Sequence, residues 1–236
     1  MGSLGVHGDS GGGGLFLGIT ASIIQRSPDV MLVQSKTLEL TLVFGVLPLA
    51  LTAVASQPPV IVPLLVASAV CLVVLLRDTR FERRRLWAGG AVRQALPGII
   101  LRWLIGWLVF GAAIYWLRPG DLFAFPRHNP RMWVVVMVLY PLLSAWPQEI
   151  IFRAFFEHRY RRLLGPALVV TSAVAFAWVH ILFRNWLAVV LTFPAGLLFM
   201  TTYRRRRSLA CSTIEHALWG DLVFTIGLGR YFYSGS

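Results

Sequence analysis

Long apolar runs cover most of this 236-residue chain, in which 57% of the residues are hydrophobic. Soluble domains are usually about 45–50% apolar, so the composition indicates an integral membrane protein. A helix needs about 20 apolar residues to cross a bilayer, and an open sheet cannot satisfy its backbone hydrogen bonds in lipid. The sequence therefore predicts an all-α, polytopic membrane helix bundle. It has about seven transmembrane helices, predicted at residues 38–55, 59–76, 97–117, 132–157, 165–183, 186–203 and 208–227.

The chain shows no internal linker and no repeat, so a single membrane domain is expected. Gly11 to Gly14 form a glycine run of the kind that makes a flexible segment. We predict a flexible N-terminal segment over residues 1–37 and one transmembrane domain over residues 38–236.

The net charge of +12 comes almost entirely from arginine. The arginines cluster at the ends of apolar runs, at residues 77–85, 159–162 and 204–207, rather than on one amphipathic face. This arrangement follows the positive-inside rule and argues against a nucleic-acid partner. It predicts a multi-pass protein of the cell (inner) membrane, as in bacteria, with all three clusters in the cytoplasm and the lipid bilayer as a partner.

Two opposite charges lie in the fourth predicted span. Glu149 and Arg153 are spaced i, i+4, so they share a helix face and can form an ion pair. A charge at the centre of a bilayer costs at least about 2.5 kcal/mol on insertion scales, so such residues usually have a function. A purely structural ion pair is the alternative. Pro141 and Pro147 precede the pair and predict a kinked helix above it.

Two histidines in later spans are expected to lie near this pair. Glu149 and His180 are equally distant in sequence from the turn at Leu164 and Gly165, so antiparallel helices place them at the same depth. His216 lies in the last span, about 14 Å above the next basic turn at 1.5 Å per residue. The three helices are thus predicted to converge on one polar cavity.

Neighbouring positions refine these expectations. Phe176 lies four residues before His180 and is expected to pack against the imidazole, which near a carboxylate can polarise a water molecule. Gly220 lies four residues after His216 and leaves room on the same helix face. Asp221 lies about 140° away from His216 around an ideal helix.

At these residues the sequence resembles the CPBP family of intramembrane proteases, which includes the type II CAAX prenyl endopeptidases and bacteriocin-processing or immunity proteins. The family pattern is EExxxR on one helix, FxxxH on the next and HxxxN or HxxxD on a later one, and the likeness covers roughly residues 132–228. The resemblance implies a metal-free mechanism without a cofactor, in which Arg153 orients the acidic helix. It further implies that His180 helps to activate water and that His216 donates to the oxyanion.

The chain departs from the family pattern at two positions. Gln148 replaces the first glutamate of EExxxR, and an amide cannot take a proton at neutral pH. Glu149 then takes over as base, or another acid such as Glu215 or Asp221 does, or the site is inactive. Gly220 stands where asparagine or aspartate is expected, and Asp221 substitutes only if the helix is distorted there, for example by a π-bulge.

These observations favour a glutamic-type intramembrane endopeptidase that cleaves a membrane-anchored or lipidated peptide with water activated by glutamate and histidine. The predicted catalytic set contains Gln148, Glu149, Arg153, His180, His216 and Asp221. A catalytically silent scaffold or bacteriocin-immunity protein is the first alternative, favoured by the two departures. A zinc-dependent membrane peptidase is another, because one carboxylate and two histidines are a sufficient ligand set. A transporter would need inverted repeats or broken helices, which the sequence does not show.

Overall fold

A computed structural model describes residues 1–2, 28–54 and 60–232, and its regular elements are all helical within these ranges. The predicted all-α class is confirmed for this part of the chain. Large apolar side chains remain exposed along the helices, as at Val66 (59%) and Leu108 (74%), which is typical of a surface that faces lipid. The α-helices are α1 (Pro28–Leu40), α2 (Leu47–Val54), α3 (Ile61–Arg77), α4 (Gly89–Leu117), α5 (Ala124–His128), α6 (Pro130–Tyr140), α7 (Trp146–Glu149), α8 (Phe156–Leu164), α9 (Leu168–Val179), α10 (Trp186–Arg206) and α11 (Leu209–Thr225).

The chain divides into two compact units, Met1–Glu39 and Leu40–Ser236. Most of the predicted flexible N-terminal segment, residues 3–27, lies outside the described residues. The predicted boundary between residues 37 and 38 therefore stays a prediction. All predicted site residues belong to the larger unit.

Among the described residues, four helical runs are long and apolar enough to cross a membrane. They are Val30–Val54, Arg83–Leu117, Pro130–Phe183 and Trp186–Arg206. Ile61–Arg77 is apolar but shorter, and the 17 residues of α11 are also fewer than the roughly 20 that a bilayer requires. The count of seven spans thus stays a prediction.

The longest run contains two of the predicted spans, because the chain reverses inside it. Gly165 follows α8 with a φ of +49°, a left-handed conformation that glycine adopts without strain. After the turn, the Ser172 hydroxyl donates to the carbonyl of Phe152 at 2.7 Å. This hydrogen bond joins a residue before the turn to one after it, so α9 runs back alongside the helix that carries Glu149 and Arg153.

The three arginine-rich turns meet at one end of the bundle. Arg207 Nη2 lies 2.6 Å from Glu82 Oε1, which joins the turn after α10 to the turn after α3. Glu157 lies 3.8 Å from Arg85 and 4.0 Å from Arg204, and it is on α8, the helix that also carries the arginines of residues 159–162. Their proximity agrees with the expectation that all three turns face the same side of the membrane.

The helix that carries the acidic motif is irregular on both sides of Glu149. The backbone is π-helical at Pro141–Ala145 and again at Ile150–Phe155, and the short helix α7 lies between them. Pro141 begins the first π segment, where a proline lacks the N–H of a normal helical hydrogen bond. Single π-helical turns often occur at functional sites, and here they flank the short helix that carries Glu149.

Candidate active site

Glu149 and Arg153 form the predicted ion pair at the centre of the larger unit. Arg153 Nη2 lies 3.3 Å from Glu149 Oε1, and both side chains are fully buried. Because water cannot solvate either charge, each needs the other and additional polar partners. The predicted i, i+4 pairing is therefore confirmed.

His216 on α11 provides the second partner of the carboxylate. Its Nδ1 lies 3.0 Å from Glu149 Oε1, and since a carboxylate only accepts, the ring N–H donates. The imidazole is stacked on the Phe199 ring, with centroids 4.6 Å apart and planes inclined by 20°. This stacking and the hydrogen bond hold the ring so that Nε2 points away from Glu149. The other carboxylate oxygen, Oε2, has no hydrogen-bond partner among the described residues.

Arg153 is held by groups that the sequence did not indicate. Its Nη1 donates to the carbonyl of Phe152 at 3.3 Å and to the Ser172 hydroxyl at 3.4 Å. The guanidinium carbon lies 4.6 Å from the centroid of the Phe176 ring, within cation–π range. Ser172 lies four residues before Phe176 on α9, so the two side chains share one helix face. This spacing was the sequence signal that Ser172 also contacts Arg153.

His180 lies at the end of α9, in contact with the aromatic ring of Phe176. Its Nδ1 donates to the carbonyl of Phe176 at 2.7 Å, so Nε2 is the acceptor nitrogen of the neutral ring. The Phe176 ring packs edge-on against both imidazoles, 4.9 Å from the His180 ring and 5.4 Å from the His216 ring. The predicted contact between Phe176 and His180 is confirmed. Among the described residues, the hydrogen bond to Glu149 comes from His216 and not from His180.

The two departures from the family pattern have clear structural surroundings. Gln148 Nε2 donates to the Ser144 hydroxyl at 2.8 Å, one turn earlier on the same helix. Asp221 is half-buried on α11, which continues as a regular α-helix through Gly220. The described residues of α11 therefore contain no π-bulge at Gly220 that would turn Asp221 toward His216. The structure brings Glu149, Arg153 and His216 together with His180 nearby, and the hydrogen bonds of the described residues do not join Gln148 or Asp221 to this cluster.

Glu215, the other acid considered as a base, is paired elsewhere. Arg102 on α4 donates to Glu215 Oε1 through Nε at 2.7 Å, and its Nη2 lies 2.6 Å from the same oxygen. Glu215 is fully buried, so this pairing neutralises a charge that connects α4 to α11. Sequence reasoning did not single out Arg102. Its signal was a lone arginine inside the apolar third predicted span.

The zinc alternative requires at least three ligands around one point. No three histidine, cysteine, aspartate or glutamate side chains in residues 1–2, 28–54 and 60–232 are close enough together to hold a metal ion. Glu149, His180 and His216 thus do not form the tetrahedral ligand set that the zinc alternative requires.

These features define a helical protein in which a buried cluster of glutamate, arginine and histidine lies among apolar helices of the kind found in membranes. Comparison with known families gives a match over residues 130–220, to the family described as type II CAAX prenyl endopeptidase Rce1-like. The resemblance to the CPBP and CAAX protease family is therefore confirmed, over a segment that contains every predicted site residue except Asp221. No curated protein and no solved structure matched the chain.

Proposed function

We propose that this protein is a glutamic-type intramembrane endopeptidase that cleaves a membrane-anchored or lipidated peptide. The observation that carries the proposal is the buried hydrogen bond between His216 and Glu149, beside Arg153, inside the segment that matches a protease family. A buried carboxylate bonded to an imidazole is expensive to maintain in an apolar bundle, and hydrolysis gives it a purpose.

In the proposed mechanism each group has a role. Glu149 is the base: its Oε2 takes a proton from the attacking water, whose oxygen adds to the scissile carbonyl carbon, and His180 helps to orient that water. The proton on Glu149 then passes to the leaving amine nitrogen. His216 enters the reaction as an imidazolium, donates Nδ1–H to Glu149 and Nε2–H to the oxyanion, and keeps both protons throughout. Arg153 keeps the carboxylate in position and does not exchange protons.

An apolar cleft in the bundle supports a lipidated substrate. The cleft has a volume of about 160 Å³ and is bordered by Ile150, the residue after Glu149. The other side chains around it are apolar, which suits a hydrocarbon chain better than a polar peptide. They include Leu72, Leu76, Trp87, Trp146 and Leu209.

A catalytically silent membrane scaffold or bacteriocin-immunity protein is the second candidate. Two observations favour it: the amide at Gln148 cannot act as a base, and Glu149 Oε1 is shared between Arg153 and His216. A scaffold needs the Glu149, Arg153 and His216 cluster only to stabilise its fold. Its function should therefore survive any substitution in the cluster that leaves the protein folded.

Hydrolysis in proteoliposomes separates the two candidates. The probes are a fluorophore–quencher peptide that ends in a farnesylated CAAX sequence and its unprenylated counterpart. We expect Glu149→Gln and His180→Ala each to reduce cleavage about 10²–10⁴-fold, the usual effect of removing a general base. Glu157→Gln is the matched control, because Glu157 pairs with arginines at the basic end, away from this cluster. Cleavage that is unchanged in both site variants would end the protease proposal.

A further inference from the structure

The space around Gly220 is filled by a side chain from another helix. A Cβ atom placed on Gly220 would collide with the Tyr140 ring and with its hydroxyl oxygen. Tyr140 thus occupies the position where an asparagine or aspartate side chain at residue 220 would begin. Glycine at this position is required by the tyrosine, and the two residues form one structural feature.

Contacts along α6 and α11 fix the direction of this tyrosine. Trp133, Met137 and Tyr140 lie on one face of α6 at spacing i, i+4, i+7. Trp133 Nε1 donates to the Thr225 hydroxyl at 3.1 Å, and that hydroxyl lies 3.7 Å from Met137 Sδ. Tyr140 follows one turn later and reaches Gly220, so its position depends on two contacts between the same helices.

The phenol lies beside the candidate catalytic histidine. The Tyr140 and His216 rings have centroids 6.1 Å apart and planes inclined by 74°, and the Phe224 ring packs against Tyr140 at 5.3 Å. The hydroxyl oxygen is at the end of the ring nearest the backbone of Gly220, one helical turn after His216. It can therefore approach a group bound near His216 from the α11 side.

We propose that the Tyr140 hydroxyl is an oxyanion donor that acts with His216 and compensates for the missing side chain at Gly220. This inference rests on the proposed peptidase function. The phenol donates a hydrogen bond to the oxygen of the tetrahedral intermediate and keeps its proton, so no bond to Tyr140 forms or breaks. An amide at residue 220 and a phenol at residue 140 are two ways to place one neutral donor at the same point.

Removing only the hydroxyl is the direct test. We expect Tyr140→Phe to lower kcat for the farnesylated peptide about 10²–10³-fold with little change in KM, as found when one oxyanion donor is lost. The ring remains, so thermal stability should match that of the original protein. Tyr115→Phe is the control, because Tyr115 is 58% exposed and lies on α4. If Tyr140→Phe cleaves normally while Glu149→Gln is inactive, this inference fails and the protease proposal stands.

A pair of substitutions tests the shared space independently of the single variant. Gly220→Asn alone should lower both stability and activity, because its side chain collides with Tyr140. Adding Tyr140→Ala should restore stability and return activity above that of Tyr140→Ala alone, since the amide then supplies the donor. A double variant no more active than Tyr140→Ala would overturn the donor role. If the original protein cleaves neither peptide, both proposals fall, and melting temperatures of the same variants still report whether the two side chains collide.

Discussion

Arg153 ranks first by volume among the fully buried side chains of the described residues, and it carries a charge. Removing an arginine from water costs several kcal/mol after relaxation, and only close partners offset this. Glu149 provides the opposite charge, while Phe176 and Ser172 provide the cation–π contact and a hydrogen bond. The same carboxylate therefore has two roles, one in stabilising the bundle and one in the proposed chemistry.

A double variant separates these two roles. Glu149→Gln leaves Arg153 buried without its counterion, and we expect the stability to fall by about 3–5 kcal/mol. Adding Arg153→Met removes the unpaired charge and should recover much of that loss, but no cleavage. Thermal and denaturant unfolding in detergent measure the stability, and proteoliposome assays measure cleavage. If Glu149→Gln is as stable as the original protein, the ion pair does not stabilise the fold.

Between helices, the turn after α3 is connected to α8 by a hydrogen bond at the basic end. His158 Nε2 lies 2.8 Å from Asp78 Oδ2, and the backbone N–H of Arg80 donates to Asp78 Oδ1 at 2.9 Å. The His158 ring also packs edge-on against Phe81, with centroids 5.3 Å apart. The hydrogen bond from His158, followed by that from Arg80, lowers the pKa of Asp78 from 3.8 to about 2.

This lowered pKa predicts an acid-dependent contribution to stability. The folded-state pKa lies below the ordinary value, so the ionised Asp78 stabilises the fold above about pH 4. That contribution is lost as the pH falls through about 2. We expect Asp78→Asn to melt at a lower temperature than the original protein at pH 6, and the difference to shrink between about pH 4 and 2. A difference that is constant over this range would show that ionisation of Asp78 does not contribute.

At the scale of the whole molecule, the common position of the arginine-rich turns predicts the orientation in the membrane. We expect Arg83, Arg161 and Arg205 on the cytoplasmic side and His128 outside. In a background with Cys71 and Cys211 replaced by alanine, an impermeant thiol reagent should label His128→Cys in intact cells. Arg205→Cys should react only after the cells are opened. Labelling of Arg205→Cys from outside would reverse the predicted orientation.

The proposed mechanism also predicts how the whole enzyme responds to chelators. Water is activated by Glu149 and His180 in this mechanism, so EDTA or phenanthroline should leave cleavage of the farnesylated peptide unchanged. A zinc peptidase treated in parallel in the same liposomes is the positive control. Loss of cleavage that added zinc restores would favour the metal-dependent alternative.

Features that depend on near neighbours in the chain could be predicted from the sequence. The helical class follows from apolar runs in lipid, where the backbone must bond within each segment. The i, i+4 rule predicted the Glu149–Arg153 pair and the Phe176–His180 contact, because one helical turn determines both. Comparison of sequence distances predicted that Glu149 and His180 lie at the same depth on antiparallel helices. The chain reverses at Gly165 as expected, and the common depth stays a prediction.

Features that depend on how helices are rotated against one another were decided only by the tertiary structure. Glu149 bonds to His216, 67 residues away, and Arg102 to Glu215, 113 residues away. Hydropathy in these spans is nearly uniform around each helix and does not determine which face meets which neighbour. Aromatic packing and the π-helical segments around Glu149 set those rotations. For the same reason the sequence showed only that residue 220 has no side chain. The packing of α6 against α11 shows that Tyr140 fills the space beside Gly220.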